Sequence, residues 1–130
     1  MFALADSARG ELVRYDAARN EVVPYLDGIF ATWVRVSPDG QSLAYTTYPD
    51  VLLWRSRLDG TGKMRLTNPP FLSYIPRWSA DGNRIYVVSG LQTYVVPATG
   101  GKPVQAIPGS SAHLDPNLSP DGKVMAFSDG

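Results

Sequence analysis

Cysteine is absent from this 130-residue chain. That excludes disulfides and thiolate metal sites and leaves the redox compartment undetermined. Histidine occurs once, at His113, so a serine triad would have only that imidazole to use, and no Gly-x-Ser-x-Gly elbow accompanies it. Long apolar runs are missing too. No stretch of 18 apolar residues encodes a helical membrane span. The apolar start Met1–Ala5 has no basic residue, ends at Asp6, and is too short for a signal peptide; it reads as a strand. Neither sign of charge is in excess, with 12 basic and 12 acidic residues. A nucleic-acid surface needs a basic surplus to neutralise phosphates, so none is expected through this segment. No long amphipathic helical pattern is present either: every apolar run is of strand length and bounded by Gly, Pro, Asp or Asn.

What the chain does have is a repeat. Ser37-Pro38-Asp39-Gly40 returns as Ser79-Ala80-Asp81-Gly82 and as Ser119-Pro120-Asp121-Gly122, with the serines 42 and then 40 residues apart. Proline presets the second position of a type I turn, and glycine accepts the positive φ that follows. Asp between them can bond its own backbone, so each tetrad is a hairpin instruction. Ala80 loosens the second copy but leaves Asp81-Gly82 in place. The run after each turn is apolar on both faces: Leu43, Ala44, Tyr45; Ile85, Tyr86, Val87; Met125, Ala126, Phe127. A sheet with one wet face would alternate. Doubled apolarity at a period of roughly 40–45 residues is the pattern of stacked β-propeller blades.

The expected architecture is all-β, with blades of four antiparallel strands: a partial blade at 1–28, full blades at 29–68 and 69–108, and a partial blade at 109–130. Expected strands are Phe2–Ala5, Glu11–Tyr15 and Glu21–Leu26 in the first unit. The second has Trp33–Val36, Ser42–Thr47, Val51–Arg57 and Lys63–Leu66. The third has Arg77-Trp78, Arg84–Ser89, Gln92–Val96 and Val104–Ile107, and the fourth has Asn117-Leu118 and Val124–Ser128. Crossovers are expected at 68–74 and 108–115. Propellers have 4–8 blades and terminal repeats need capping. About three blades therefore point to a segment of a larger propeller, or one completed by other copies or subunits. Without such a neighbour Phe2, Leu4, Met125 and Phe127 are expected to face solvent.

Arg77-Trp78-Ser79-Ala80-Asp81-Gly82-Asn83-Arg84-Ile85 is similar to the core of TolB-type propeller repeats, and Leu53-Trp54-Arg55-Ser56, Leu58-Asp59-Gly60 and Arg65-Leu66-Thr67 resemble the remainder of that repeat. Val36 and Leu118 stand where the repeat has the tryptophan present at Trp78, and Gln105-Ala106-Ile107 replaces Arg-Leu-Thr. Glu11–Asp16, Pro24-Tyr25-Leu26 and Leu53–Ser56 resemble the propeller part of bacterial winged-helix regulators. The resemblance implies a sensing or protein-contact role, and a periplasmic or envelope location. It carries no DNA binding, since the winged-helix part is not in these residues.

No catalytic residue, cofactor or metal site emerges. Asp115–Ala126 begins like a calcium loop, but Pro120 and Ala126 stand where such a loop needs Gly and Glu. Gly60-Thr61-Gly62-Lys63 has the wrong spacing for a phosphate loop and reads as a turn. Trp33, Trp54, Trp78 and Tyr94 read as inter-blade core or as a stacking platform, and Arg35 and Arg77 as solvated positions or as a pair binding an anion near the channel. The crossover residues Phe71, Leu72 and Tyr74, with His113 in the next crossover, are the candidate protein-partner contacts, because loops on a rigid scaffold carry binding; the alternative is that they tuck between blades. The functions expected are therefore a non-catalytic interaction or scaffold module, a small-ligand sensor, or the non-catalytic propeller of a peptidase.

Overall fold

Each Ser-x-Asp-Gly tetrad closes on itself through bonds to residues within five positions along the chain. Ser37 Oγ donates to Asp39 Oδ1 at 2.5 Å and accepts from the Ser42 amide at 2.9 Å, while Asp39 Oδ1 also accepts from the Gln41 amide at 3.0 Å. Ser79, Asp81, Asn83 and Arg84 repeat the pattern, as do Ser119, Asp121, Lys123 and Val124. Gly40, Gly82 and Gly122 supply the left-handed residue, at φ 73°, 73° and 72°. The serine hydroxyl is the main reason that Asp39, Asp81 and Asp121 all titrate below the ordinary carboxylate value, with backbone amides adding to it.

The structure, a computed structural model, describes residues 3–5, 11–107 and 113–129. Among these residues thirteen strands form four antiparallel sheets. The first contains β1 (Ala3–Ala5), β2 (Leu12–Asp16) and β3 (Glu21–Pro24). The second contains β4 (Ala31–Val36), β5 (Ser42–Thr47), β6 (Leu53–Arg57) and β7 (Met64–Arg65). The third contains β8 (Tyr74–Trp78), β9 (Arg84–Ser89), β10 (Gln92–Pro97) and β11 (Val104–Gln105). The fourth pairs β12 (His113–Leu118) with β13 (Met125–Asp129). No α-helix occurs among the described residues. Strands pair in chain order within each sheet, and the first strands of neighbouring sheets, β4, β8 and β12, converge on one another. These are propeller blades of three, four, four and two strands.

The doubled apolarity has the expected cause. Ser42 to Thr46 are all buried, because β5 is covered on both faces. Leu43 and Tyr45 join Leu12, Tyr25, Leu26 and Ala31 at the first blade junction. Ala44, on the opposite face, joins Leu53, Leu66, Trp78, Ile85, Val87 and Val96 at the second. Each such side chain contributes about 1.5–3 kcal/mol on burial, so stacking is the main stabilising term. Polar ties cross the same junctions. Tyr25 Oη donates to the Leu58 carbonyl at 2.5 Å and Arg55 Nη1 to that of Ala98 at 2.8 Å, and at the third junction Arg77 Nε donates to the Pro116 carbonyl at 3.2 Å. Burial raises the Tyr25 phenol above its usual pKa and keeps it a donor.

Three expectations need correction. The first strands begin earlier than their sequences suggest, at Ala31, Tyr74 and His113 rather than Trp33, Arg77 and Asn117, so Tyr74 and His113 to Asp115 belong to strands. In β8 and β12 a proline obscures this. Each first strand carries a bulge, between Thr32 and Arg35, Tyr74 and Arg77, and Leu114 and Asn117, and edge strands tolerate proline at a bulge. Pro76 and Pro116 sit buried in two of them. Trp33 and Ile75, the matching bulge residues, are left-handed at φ 48° and 51°. The second correction concerns Leu26. It does not extend β3; Leu26 and Asp27 turn left-handed, at φ 51° and 60°, within a short 3-10 turn. The third concerns the last strand. It differs from expectation in part only: Phe127 is 38% exposed, as expected, whereas Met125 is half-buried, and the side chain of Leu4 lies outside the described residues. Phe2 lies outside the described residues.

Candidate interaction surface

The crossover from β7 to β8 is pinned by buried hydroxyls. Thr67 Oγ1 accepts from the Leu53 amide at 2.9 Å and lies 3.0 Å from Ser73 Oγ. Thr46 Oγ1 donates to the Ser73 carbonyl at 2.9 Å, and the Ser73 amide donates to Val51 O at 2.9 Å. Thr46, Thr67 and Ser73 are all buried. Buried hydroxyls need partners, and here each finds one on a different segment, so the loop between them has little freedom.

That pinning decides which crossover side chains face inward. Phe71 packs edge-on against Tyr94, with ring centres 5.0 Å apart, and leans on the core of the second junction. Leu72 points outward and is 40% exposed. Tyr74 is half-buried in an edge-to-face contact with Trp33, at 5.6 Å. Trp33 itself is 38% exposed. Phe30 and Tyr48, exposed by 52% and 59%, lie at the same end of the blade and are joined by the Tyr48 amide's bond to the Phe30 carbonyl at 3.0 Å. Leu91, 60% exposed, occupies the turn between β9 and β10, at the same end of the next blade. This end of the inner strands therefore shows an apolar, aromatic-rich rim. The opposite end carries the exposed carboxylates of Asp39, Asp81 and Asp121.

His113 starts β12, 40 residues after Ser73, which places it at the corresponding register of the next blade; its side chain lies outside the described residues. Trp78 is buried core, and Trp54 and Tyr94 pack against core clusters. Arg35 bonds its neighbour's carbonyl, that of Val34, at 2.9 Å, and Arg77 reaches Pro116. Among the described residues no group of three His, Cys, Asp or Glu side chains is placed to hold a metal ion, and no helix is long and apolar enough to cross a membrane. Sequence reasoning missed Phe30, Tyr48 and Leu91, which are single apolar residues in connections between strands. Their signal is positional: each falls at the end of the strands opposite the Asp-Gly turns.

No family model matches the chain. A stretch of 74 residues is 36% identical to dipeptidyl-peptidase 5 of Porphyromonas gingivalis, covering 47% of this chain and 11% of that protein. Among solved structures, TolB from Acinetobacter baumannii superimposes with a TM-score of 0.75 at 21% identity, over 96% of this chain and 33% of its own. A TolB-type protein from Agrobacterium tumefaciens gives 0.69 at 23% identity, over 92% of this chain and 50% of its own. The chain thus spans a third to a half of the matched structures and about a tenth of the curated relative. At these identities the likeness establishes the fold, a TolB-like β-propeller segment.

Proposed function

We propose that these residues form a non-catalytic interaction segment of a larger propeller, and that the rim built from Phe30, Trp33, Tyr48, Leu72 and Tyr74 receives a protein partner, with His113 on the same rim. The observation that carries the reading is the pinned crossover, which holds Leu72 and the Trp33–Tyr74 pair at the surface on a scaffold that cannot retract them. Trp and Tyr supply large contact area at little entropic cost and dominate interface hot spots. An envelope location accords with the resemblance to TolB-type repeats. Affinity capture from the native source tests the reading: a partner retained by the wild-type protein should be lost from a Leu72→Ser/Tyr74→Ser variant. Equal recovery by both would remove the rim from the interaction.

The match to dipeptidyl-peptidase 5 supports a second reading, the non-catalytic propeller of a peptidase. Hydrolysis of fluorogenic dipeptide substrates by the full-length protein would favour it. An inactive protein that still captures its partner would favour the first.

A further inference from the structure

The two blade junctions present the same cleft twice. Tyr25, Leu66 and Ala106 are equivalent, since their amides donate to the carbonyls of the equivalent residues Leu12, Leu53 and Thr93. In each cleft one wall is the exit from a blade's last strand. The other is the turn following the next blade's third strand. The first cleft, about 540 Å³, is lined by Arg14, Tyr25, Asp27, Leu58, Asp59 and Lys63, among others. Its two cations face two carboxylates. The Tyr25 hydroxyl bridges its walls to Leu58, and Leu26 lies so close over Gly60 that a Cβ there would stand 2.9 Å from Leu26 Cδ2.

The second cleft, about 590 Å³, has the same frame and different chemistry. Arg65, Asn68, Phe71, Tyr94, Lys102 and Pro103 line it, and no carboxylate does. Leu66 stands in Tyr25's place and cannot bridge the walls. Thr67 stands in Leu26's place and turns inward to Ser73. Gly100, the counterpart of Gly60, has nothing within 4 Å of where a Cβ would be. The Phe71–Tyr94 pair gives the cleft an aromatic wall, and Arg65 and Lys102 are both exposed. In a chain with no net charge, this is a local surplus of two positive charges around an apolar surface.

We propose that the cleft between the second and third blades binds an acidic, extended segment of a partner protein, with an apolar side chain against Phe71 and Tyr94 and flanking carboxylates on Arg65 and Lys102. The inference rests on the protein-binding reading and adds a second, electrostatically defined contact to it. A peptide suits the site better than a small anion because the cleft is bordered by β7, the last strand of its sheet, whose outer backbone edge can pair with an extended chain.

The test is selection of peptides from a randomised heptapeptide display library on the purified protein, followed by affinity measurement for the best sequence. The expected consensus is an aromatic or aliphatic residue flanked by Asp or Glu. Arg65→Glu and Lys102→Glu should each weaken that peptide about tenfold or more, as loss of a charge-assisted bond followed by repulsion requires, and added salt should weaken it further. Lys63→Glu, in the first cleft, should leave it unchanged. All three side chains are exposed, and thermal melts of the variants, or of the milder Gln variants where Glu disturbs the fold, confirm that binding alone has changed. A consensus without acidic residues, or affinity that survives both charge reversals, overturns the proposal. So does phenylacetate binding as tightly as the peptide, which would make the cleft a small-anion site. None of these outcomes touches partner capture through Leu72 and Tyr74, so the two readings fail separately.

Discussion

The indole Nε1 of Trp78 donates to the carbonyl oxygen of Arg35 across the second blade junction, at 3.1 Å, and the Arg55 guanidinium lies over the same ring, 5.8 Å from its centre. Trp78 is therefore both core filler and tie. The two roles can be separated. Trp78→Phe keeps most of the volume but leaves a half-buried carbonyl without its donor, and should cost about 1–3 kcal/mol. Trp78→Ala opens a cavity as well and should cost about 3–5 kcal/mol. Urea unfolding reads both. Equal losses from the two variants would show that the hydrogen bond carries the whole effect.

The recurring turns predict an acid-sensitive fold. Asp39, Asp59, Asp81 and Asp121 are all held below their ordinary value of 3.8, chiefly by the hydroxyls of Ser37, Thr61, Ser79 and Ser119. A carboxylate whose pKa is lower in the folded than in the unfolded chain contributes stability above the unfolded value. That stability is lost as pH falls through the folded value. The melting temperature should thus be flat near neutrality and fall as the pH drops below about 4. Asp39→Asn or Asp81→Asn should flatten that acid limb. An acid limb unchanged in an Asp39→Asn/Asp81→Asn variant would separate the turns from the effect.

The hydroxyl cluster beneath the crossover predicts an isosteric variant with a large effect. Thr67→Val keeps the shape but deprives the Leu53 amide and the Ser73 hydroxyl of their partner. Leaving a buried donor unsatisfied costs about 1–3 kcal/mol. The same variant should raise hydrogen exchange at the Ser73 amide, whose bond to Val51 depends on the crossover's position. Exchange confined to global unfolding in the variant would mean that the loop is held by its ends alone.

The parts of the fold visible in the sequence are those fixed by local chemistry. The turn bonds lie within five residues of one another, so β5 at Ser42–Thr47 and β9 at Arg84–Ser89 could be placed to the residue. The first strands β8 and β12 could not, because a proline in an apolar run looks like a strand end. Only the neighbouring strand shows that Pro76 is absorbed in a bulge. The crossover's Pro-flanked apolar composition marks it in the sequence as a candidate contact. The split between Phe71 and Leu72 was not legible there, since it depends on Tyr94, a residue of the next strand pair. The charge contrast between the two clefts was also hidden: Arg65 and Lys102 are brought together only by stacking two blades.

That split between neighbours gives the last prediction. Phe71 is half-buried against Tyr94 and the second core cluster, whereas Leu72, next to it, makes its turn outward. Phe71→Ser should destabilise the fold by about 2–4 kcal/mol, in the range of large-to-small core changes. Any loss of partner capture beyond that unfolding would come from the aromatic wall of the second cleft, not from the rim. Leu72→Ser should stay within about 0.5 kcal/mol of the wild type and yet weaken capture. Chemical denaturation and affinity capture on the same two variants give a crossed pattern if the rim is the contact surface. If capture instead follows stability in both, the crossover is a structural link and the partner binds elsewhere on the blades.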